Sequence, residues 1–344
     1  MVTRYNILFN FAVTRTGGGL KRLHAYSKWF HENGGAYFII HPECKLLKKK
    51  FPKNKYFVVF QTNLERIIND CKYLKHIKKK INKPDLYYSY GIPIYYNFGK
   101  INWLHISNIL PFKFSKMDLT FFDKFIRLAL LGWKMKKNFK NSDIVSAESQ
   151  NSLNIIRNNN IKELFLSLNG SDQELDYLKN KYISNRENTA VIIGTQKYKA
   201  ILDAYKIFEN LKKKNNSLKL ILVGDKNSIL KHFVNNDNVI LKGVINQNEV
   251  IKLLKKTKYY ISTTKIENSF NAAAEGIIFA DESYISDVGP HRELLKNENY
   301  EVIKIPNLSN RILKINRKDI KGKNLKMWSD IIIEMIEKVK PYVK

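Results

Sequence analysis

The sequence predicts an α/β protein built as two doubly wound halves. Three observations carry this. Short runs rich in Ile, Val, Tyr and Phe recur along all 344 residues with little polar alternation, as strands do when helices cover both faces of a parallel sheet. Helical stretches at 20–33, 200–213, 247–256 and 325–339 lie between or after those runs. A turn signal, Asn169-Gly170-Ser171-Asp172, and a polar segment to Asn188 then divide the pattern before a fresh apolar run opens at Thr189.

In the first half the strand positions are 5–13, 36–41, 56–60, 86–90, 101–105 and 143–147. In the second they are 163–167, 189–194, 218–224, 238–242, 258–262, 283–286 and 301–305. The expected organisation is an N-terminal domain over residues 1–168, a C-terminal domain over 169–323 and a closing segment over 324–344. The last helix carries Leu325, Trp328, Ile331, Ile332, Met335, Ile336 and Val339 as one apolar stripe, which needs something to pack on. It is expected to lie across the domain junction.

A hydrophobic content of 44% supports real cores. The two cysteines, Cys44 and Cys71, are too few for a disulfide framework and lack metal-ligand spacing, so a reducing cytoplasm is expected. The opening residues do not read as a signal peptide, and no run of 18 apolar residues is present. The formal net charge is +29, and it is uneven: residues 1–168 hold 29 Lys and Arg against 10 Asp and Glu, the rest 31 against 21. A basic half suits an anionic partner, whether phosphate ligand, anionic membrane or nucleic acid; a lysine-rich solvated surface explains the count equally well. No recognition-helix, zinc-finger or RNA-recognition signature accompanies the charge, so nucleic acid is not the expected partner.

Five constellations could carry chemistry. Gly17-Gly18-Gly19 follows the first strand and opens a helix, where Gly18 and Gly19 would let a ligand approach backbone amides. The plain alternative is a tight strand-to-helix turn. Gly194-Thr195-Gln196-Lys197-Tyr198-Lys199 repeats that position in the second half, and a lysine there can neutralise phosphate; Lys199 is favoured, with Lys197 close behind. Third comes the segment from Glu267 to Glu275. A polar loop leads into a helix whose opening residues, Ser269, Phe270, Asn271 and Ala272, would turn amides toward a diphosphate, while the carboxylates accept from hydroxyls. Capping and surface glutamates are the plain alternative. Fourth, His105 ends the strand beginning at Ile101, where a side chain faces the crevice of such folds. Fifth, Pro111–Lys140 mixes aromatics with cations, as interfacial helices do; a helix packed on its own sheet would read the same way. No histidine–carboxylate cluster has zinc spacing, so no metal is expected.

Taken in order, these pieces resemble the GT-B glycosyltransferases, specifically the retaining family 4 type of bacterial envelope-glycan synthesis. The resemblance runs through Gly17-Gly18-Gly19, Asn169-Gly170, Gly194 with Lys199, Leu222-Val-Gly224-Asp225, Leu241-Lys-Gly243 with Glu249, and the block from Glu267 to Glu275. It implies two Rossmann-like domains facing across a cleft and metal-independent, retaining transfer from a nucleotide-diphosphate sugar, expected to be a UDP-sugar. Lys199 would bind the diphosphate, Glu275 the ribose, Glu267 and His105 the sugar, with Gly194, Thr195 and Lys197 also lining the donor site and Gly18 and Gly19 letting the first domain close on the phosphates. The acceptor implied is a glycan, lipid-linked, in O-antigen, capsule or lipopolysaccharide synthesis. The protein would work on the inner face of the cytoplasmic membrane. Two departures stand out: Thr195 occupies a region where the family often has arginine, and Asn268-Ser269-Phe270-Asn271 replaces a glycine-rich loop. Other readings are a basic nucleic-acid-binding protein and a sugar-nucleotide epimerase or hydrolase of the same fold.

Overall fold

A computed structural model describes residues 5–62, 65, 67, 72–113, 122–171, 186–225, 233, 236–308, 310–322 and 324–343. The polar boundary segment from Asp172 to residue 185, Cys71, and residues 114–121 of the aromatic and basic stretch lie outside the described residues. The chain divides into two compact units: residues 1–170 with 326–344, and residues 171–325.

Unit 1 holds a seven-stranded sheet. Its strands are β1 (Ile7–Phe11), β2 (Tyr37–Ile40), β3 (Lys55–Val58), β4 (Leu86–Tyr90), β5 (Ile101–Ile106), β6 (Ile144–Ala147) and β7 (Leu164–Leu166). Every pairing is parallel, in the order β3-β2-β1-β4-β5-β6-β7. β1, β4, β5 and β6 are buried along their whole length, which explains why they are largely apolar on both faces. The order reverses direction between β1 and β4, and helix α1 (Gly17–Glu32) follows β1 there. The three glycines are the first turn of that helix, not a loop before it.

The core of unit 1 is aromatic. Phe9 stacks on Phe38 at 5.0 Å and meets Tyr26 edge-on at 5.3 Å. The C-terminal helix, Trp328–Val339, inserts Trp328, Ile331, Ile332, Met335 and Val339 into this same cluster. The Asn169-Gly170 turn presses on that helix: a Cβ at Gly170 would sit 2.7 Å from the Trp328 amide nitrogen. At about 2 kcal/mol per buried large apolar side chain, the five residues contribute on the order of 10 kcal/mol before entropy is subtracted.

Unit 2 repeats the plan with a variation. β8 (Glu187–Ile193), β9 (Lys219–Val223), β10 (Val239–Gly243), β11 (Thr257–Ser262) and β12 (Glu282–Ser286) are parallel. β14 (Ile312–Asn316) then pairs antiparallel with β12 and with the edge strand β13 (Glu301–Ile303). The apolar pattern of the sequence marks no strand at 312–316. Lys314 and Asn316 break the apolar run there, and the short edge is held by a cross-strand ion pair, Lys314–Glu301 at 3.5 Å. Helices Ile201–Lys214, Gln247–Lys256 and Asn271–Phe279 fill the crossovers. Gln247–Lys256 opens with a capping box in which Asn246 and Glu249 serve each other's backbone amides at 3.0 Å. Glu249 is thus explained by helix capping.

Candidate functional site

In a doubly wound sheet, ligands bind beyond the carboxyl ends of the strands at the point where strand order reverses. In unit 2 that point lies between β8 and β11. The residues leaving β8 are Gly194 to Ala200; those leaving β11 are Thr263 to Glu267. The structure joins the two segments.

Gly194 leaves the strand at φ +95°, a conformation suited to glycine. Thr195 is buried and donates to the Asp225 carbonyl at 3.1 Å, in space that Gly224 leaves open: a Cβ there would approach Thr195 Cγ2 to 2.7 Å. A single 3-10 turn, Lys197–Lys199, then runs into Ala200, which is left-handed at φ 49° and caps the next helix. The β11 loop clamps this turn. Thr263 donates its hydroxyl to the carbonyls of Lys199 (3.1 Å) and Ala200 (2.8 Å), and the Lys265 amide donates to the Tyr198 carbonyl at 2.8 Å.

The result is a fixed lysine. Lys199 Nζ lies 2.6 Å from Glu267 Oε2, with side-chain exposures of 13% and 21%. Burial pulls the lysine pKa down, but the charge of Glu267, with Tyr198 and Tyr260, raises it well above the ordinary lysine range. The ammonium is therefore held in its charged form at neutral pH, paired with the carboxylate. Lys197, two residues earlier in the same turn, is exposed. Burial and pairing single out Lys199 as the fixed cation.

Beyond Glu267, residues Asn268, Ser269 and Phe270 are buried, and helix Asn271–Phe279 begins with Asn271 and Ala272 half-buried. Glu275 is 4% exposed, one turn into that helix, so it is not a surface glutamate. The helix lies hard against β11: a Cβ at Gly276 would stand 2.0 Å from Tyr260 Cδ1. Tyr260 is fully buried, and burial pushes its hydroxyl up to about 12.

Unit 1 carries a second polar cluster at the equivalent strand ends. Gly19 abuts Tyr90, where a Cβ would meet the ring at 2.9 Å. The Tyr90 hydroxyl donates to Glu148 Oε1 at 3.3 Å, and the Tyr90 ring stacks on His105 at 5.2 Å. His105 is fully buried and both its nitrogens are engaged: Nε2 with Glu148 Oε1 at 3.3 Å, Nδ1 with Ser146 Oγ at 2.8 Å. Burial, with the charge of Arg22, holds the imidazole down to about 4. Glu148 is kept ionised: burial works against the charge, but the His105 hydrogen bond and Arg22 outweigh it. A neutral ring facing a carboxylate must donate through Nε2, so Nδ1 accepts from the Ser146 hydroxyl, whose oxygen also accepts from Trp103 Nε1 at 2.6 Å. The expected sugar contact at His105 is not made by a free nitrogen in this arrangement.

Arg22 and Glu148 were not among the residues the sequence pointed to. Arg22 is fully buried; Nη1 donates to Ser167 Oγ at 2.9 Å, and Nη2 to the carbonyls of Ser167 (2.9 Å) and Leu168 (2.8 Å) and to Asn169 Oδ1 (3.1 Å). A signal was present: Arg22, Tyr26 and Phe30 share one helical face, and that face is apolar.

No protein-family model matches the sequence, and no curated protein matches it. Solved structures do match over nearly the whole chain. HepE from Anabaena, in a structure with UDP and glucose, superposes with a TM-score of 0.62 at 12% identity, covering 98% of this chain and 100% of that one. A glycosyltransferase from Rickettsia africae gives 0.65 at 14% identity, covering 99% of each. Sucrose-phosphate synthase from Thermosynechococcus elongatus gives 0.65 at 12% identity, covering 98% and 99%. The fold is α/β with two Rossmann-like units, matching GT-B glycosyltransferase structures.

Proposed function

We propose that the chain is a glycosyltransferase that takes a sugar from a nucleotide-diphosphate donor, held by unit 2. The observation that carries this is the Lys199–Glu267 pair at the switch point of the unit 2 sheet, 2.6 Å apart and set rigidly by the Thr263 clamp. Its support is a fold shared with HepE, which was solved with UDP and with UDP-glucose.

On this reading Lys199 meets the diphosphate, together with amides opening helix Asn271–Phe279. Glu267 takes a sugar hydroxyl and Glu275 the ribose. Negative charge grows on the departing diphosphate as the glycosidic bond breaks, and a charged ammonium already in place stabilises it without reorganisation. Glu267 is neutralised by Lys199, which suits a hydroxyl acceptor and not a proton-abstracting base. We therefore favour a retaining course in which the leaving phosphate helps deprotonate the acceptor hydroxyl. A UDP-sugar is the favoured donor, with Gly194, Thr195 and Lys197 around the diphosphate. Gly18 and Gly19 belong to the unit that takes the glycan acceptor. His105 acts there through Glu148 and Tyr90.

The acceptor is proposed to be lipid-linked, as in O-antigen, capsule or lipopolysaccharide synthesis, and reached from an anionic membrane. No helix among the described residues is long and apolar enough to cross a membrane. Helix Phe122–Asn138 supports surface docking: Ile126, Leu130 and Trp133 are exposed at 38%, 44% and 53%, at i, i+4 and i+7. Lys134 and Lys137 hold their ammonium groups 5.3 and 5.2 Å from the Trp133 ring.

A thermal-shift panel of nucleotide sugars tests the donor reading, since a ligand at 100 times its Kd stabilises the native state by about 2.7 kcal/mol. UDP-sugars should raise Tm, and Lys199→Met should abolish the rise. A panel without effect sinks the proposal. Sedimentation with phosphatidylglycerol vesicles at low salt tests the membrane part: wild type should bind, and Trp133→Ser with Leu130→Ser should not.

A further inference from the structure

Strand β12 ends at Ser286, and the short helix Gly289–Leu294 carries His291 back over that end. His291 is 1% exposed. Its Nδ1 lies 2.7 Å from the Ser286 carbonyl oxygen. A carbonyl only accepts, so Nδ1 carries the proton and Nε2 is the acceptor of the neutral ring.

Hydrogen bonds run from the anchor of this histidine to the residue before Glu267. The Ser286 hydroxyl donates to the Thr264 carbonyl at 2.7 Å, and the Thr264 hydroxyl to the Ile266 carbonyl at 2.9 Å. Glu267 is the next residue. Pairing of β11 with β12, Ser262 opposite Ile285, sets the two strand ends side by side. Burial holds the imidazole below its usual range, so it is neutral near pH 7, and the charges of Glu267 and Lys199 both act on it.

We propose that His291 determines donor-sugar specificity: its Nε2 accepts a hydroxyl of the donor's sugar beside Glu267. This rests on the glycosyltransferase reading of unit 2. The chemistry selects the sugar over the diphosphate. An unprotonated Nε2 has no proton to give a phosphate oxygen, whereas a hydroxyl has one to give it. Between them, Glu267 and His291 offer two acceptors of different charge and reach.

Two substitutions separate this role from a structural one. His291→Asn keeps an N–H for the Ser286 carbonyl and removes the reach of Nε2. His291→Gln keeps a polar group at the Nε2 position and gives up the Ser286 anchor. The probes are UDP-glucose, UDP-N-acetylglucosamine and GDP-mannose, each against its bare nucleoside diphosphate, by calorimetry. The expected result is that His291→Asn binds the wild type's preferred nucleotide sugar roughly tenfold more weakly and the bare diphosphate within about twofold. His291→Gln should recover part of the loss. If His291→Asn weakens sugar and bare nucleotide equally, or neither, the His291 assignment is overturned while the donor reading stands. If the wild type binds none of the probes, the donor reading fails and His291 falls with it.

Discussion

Replacing Glu267 by glutamine should lower stability and strengthen UDP binding together. The carboxylate lies 2.6 Å from Lys199 Nζ, and both side chains are largely buried. With an effective dielectric of about 20, the gross attraction is roughly 6 kcal/mol, most of it opposed by desolvation of the two ions. Removing one partner of a buried pair leaves the other uncompensated, at about 3–5 kcal/mol. The residual exposure of each side chain puts Glu267→Gln near the lower end, at about 3 kcal/mol. All four tryptophans, Trp29, Trp103, Trp133 and Trp328, belong to unit 1, so the loss is read by far-UV circular dichroism in urea, not by tryptophan fluorescence. The same substitution frees the Lys199 charge, so UDP should bind more tightly while sugar transfer falls. A double-mutant cycle with Lys199→Met should return at least about 1.5 kcal/mol of coupling. Coupling below about 0.5 kcal/mol, or UDP affinity that drops with Glu267→Gln, would refute the reasoning.

Three further outcomes are expected. His105 is held down to about 4 against an ordinary 6.5, so between those values the unfolded chain binds a proton that the native state does not. Stability should therefore fall as pH drops from 6.5 to 4, by about 3 kcal/mol, and His105→Gln should flatten that limb of a urea-midpoint profile. Gly276→Ala places a methyl 2.0 Å from the buried Tyr260 ring and should cost about 3 kcal/mol by chemical denaturation. Ala200→Gly relaxes a left-handed residue and should raise stability by about 1 kcal/mol, seen as a higher Tm with unit 2 ligand binding intact.

Much of the fold was legible because buried parallel strands need apolar residues on both faces. β1, β4 and β6 announce themselves that way. β14 did not, since an antiparallel strand near an edge tolerates Lys314 and Asn316. Lys199 and Glu267 were legible as separate candidates because they sit at strand-to-helix turns, but their pairing was not. The Arg22–Glu148–His105 cluster was not: its members lie 126 and 43 positions apart in sequence, and only the folded sheet brings the ends of β4, β5 and β6 beside α1. In a chain this rich in cations, one arginine on an apolar stripe is easily passed over. His291 was hidden for a related reason, since nothing local reveals that its imidazole is tied to the strand end before it.

The return of Trp328–Val339 to unit 1 has a consequence for biosynthesis. The first 170 residues leave the ribosome without the helix that completes their aromatic core, and the next 155 belong to the other unit. At roughly 5–20 residues per second, that intervening stretch takes on the order of 10–30 s to translate. Throughout that interval the groove that will receive Trp328, Ile331, Ile332 and Met335 is open. The aromatic core of unit 1 can therefore close only after the whole of unit 2 has been synthesised.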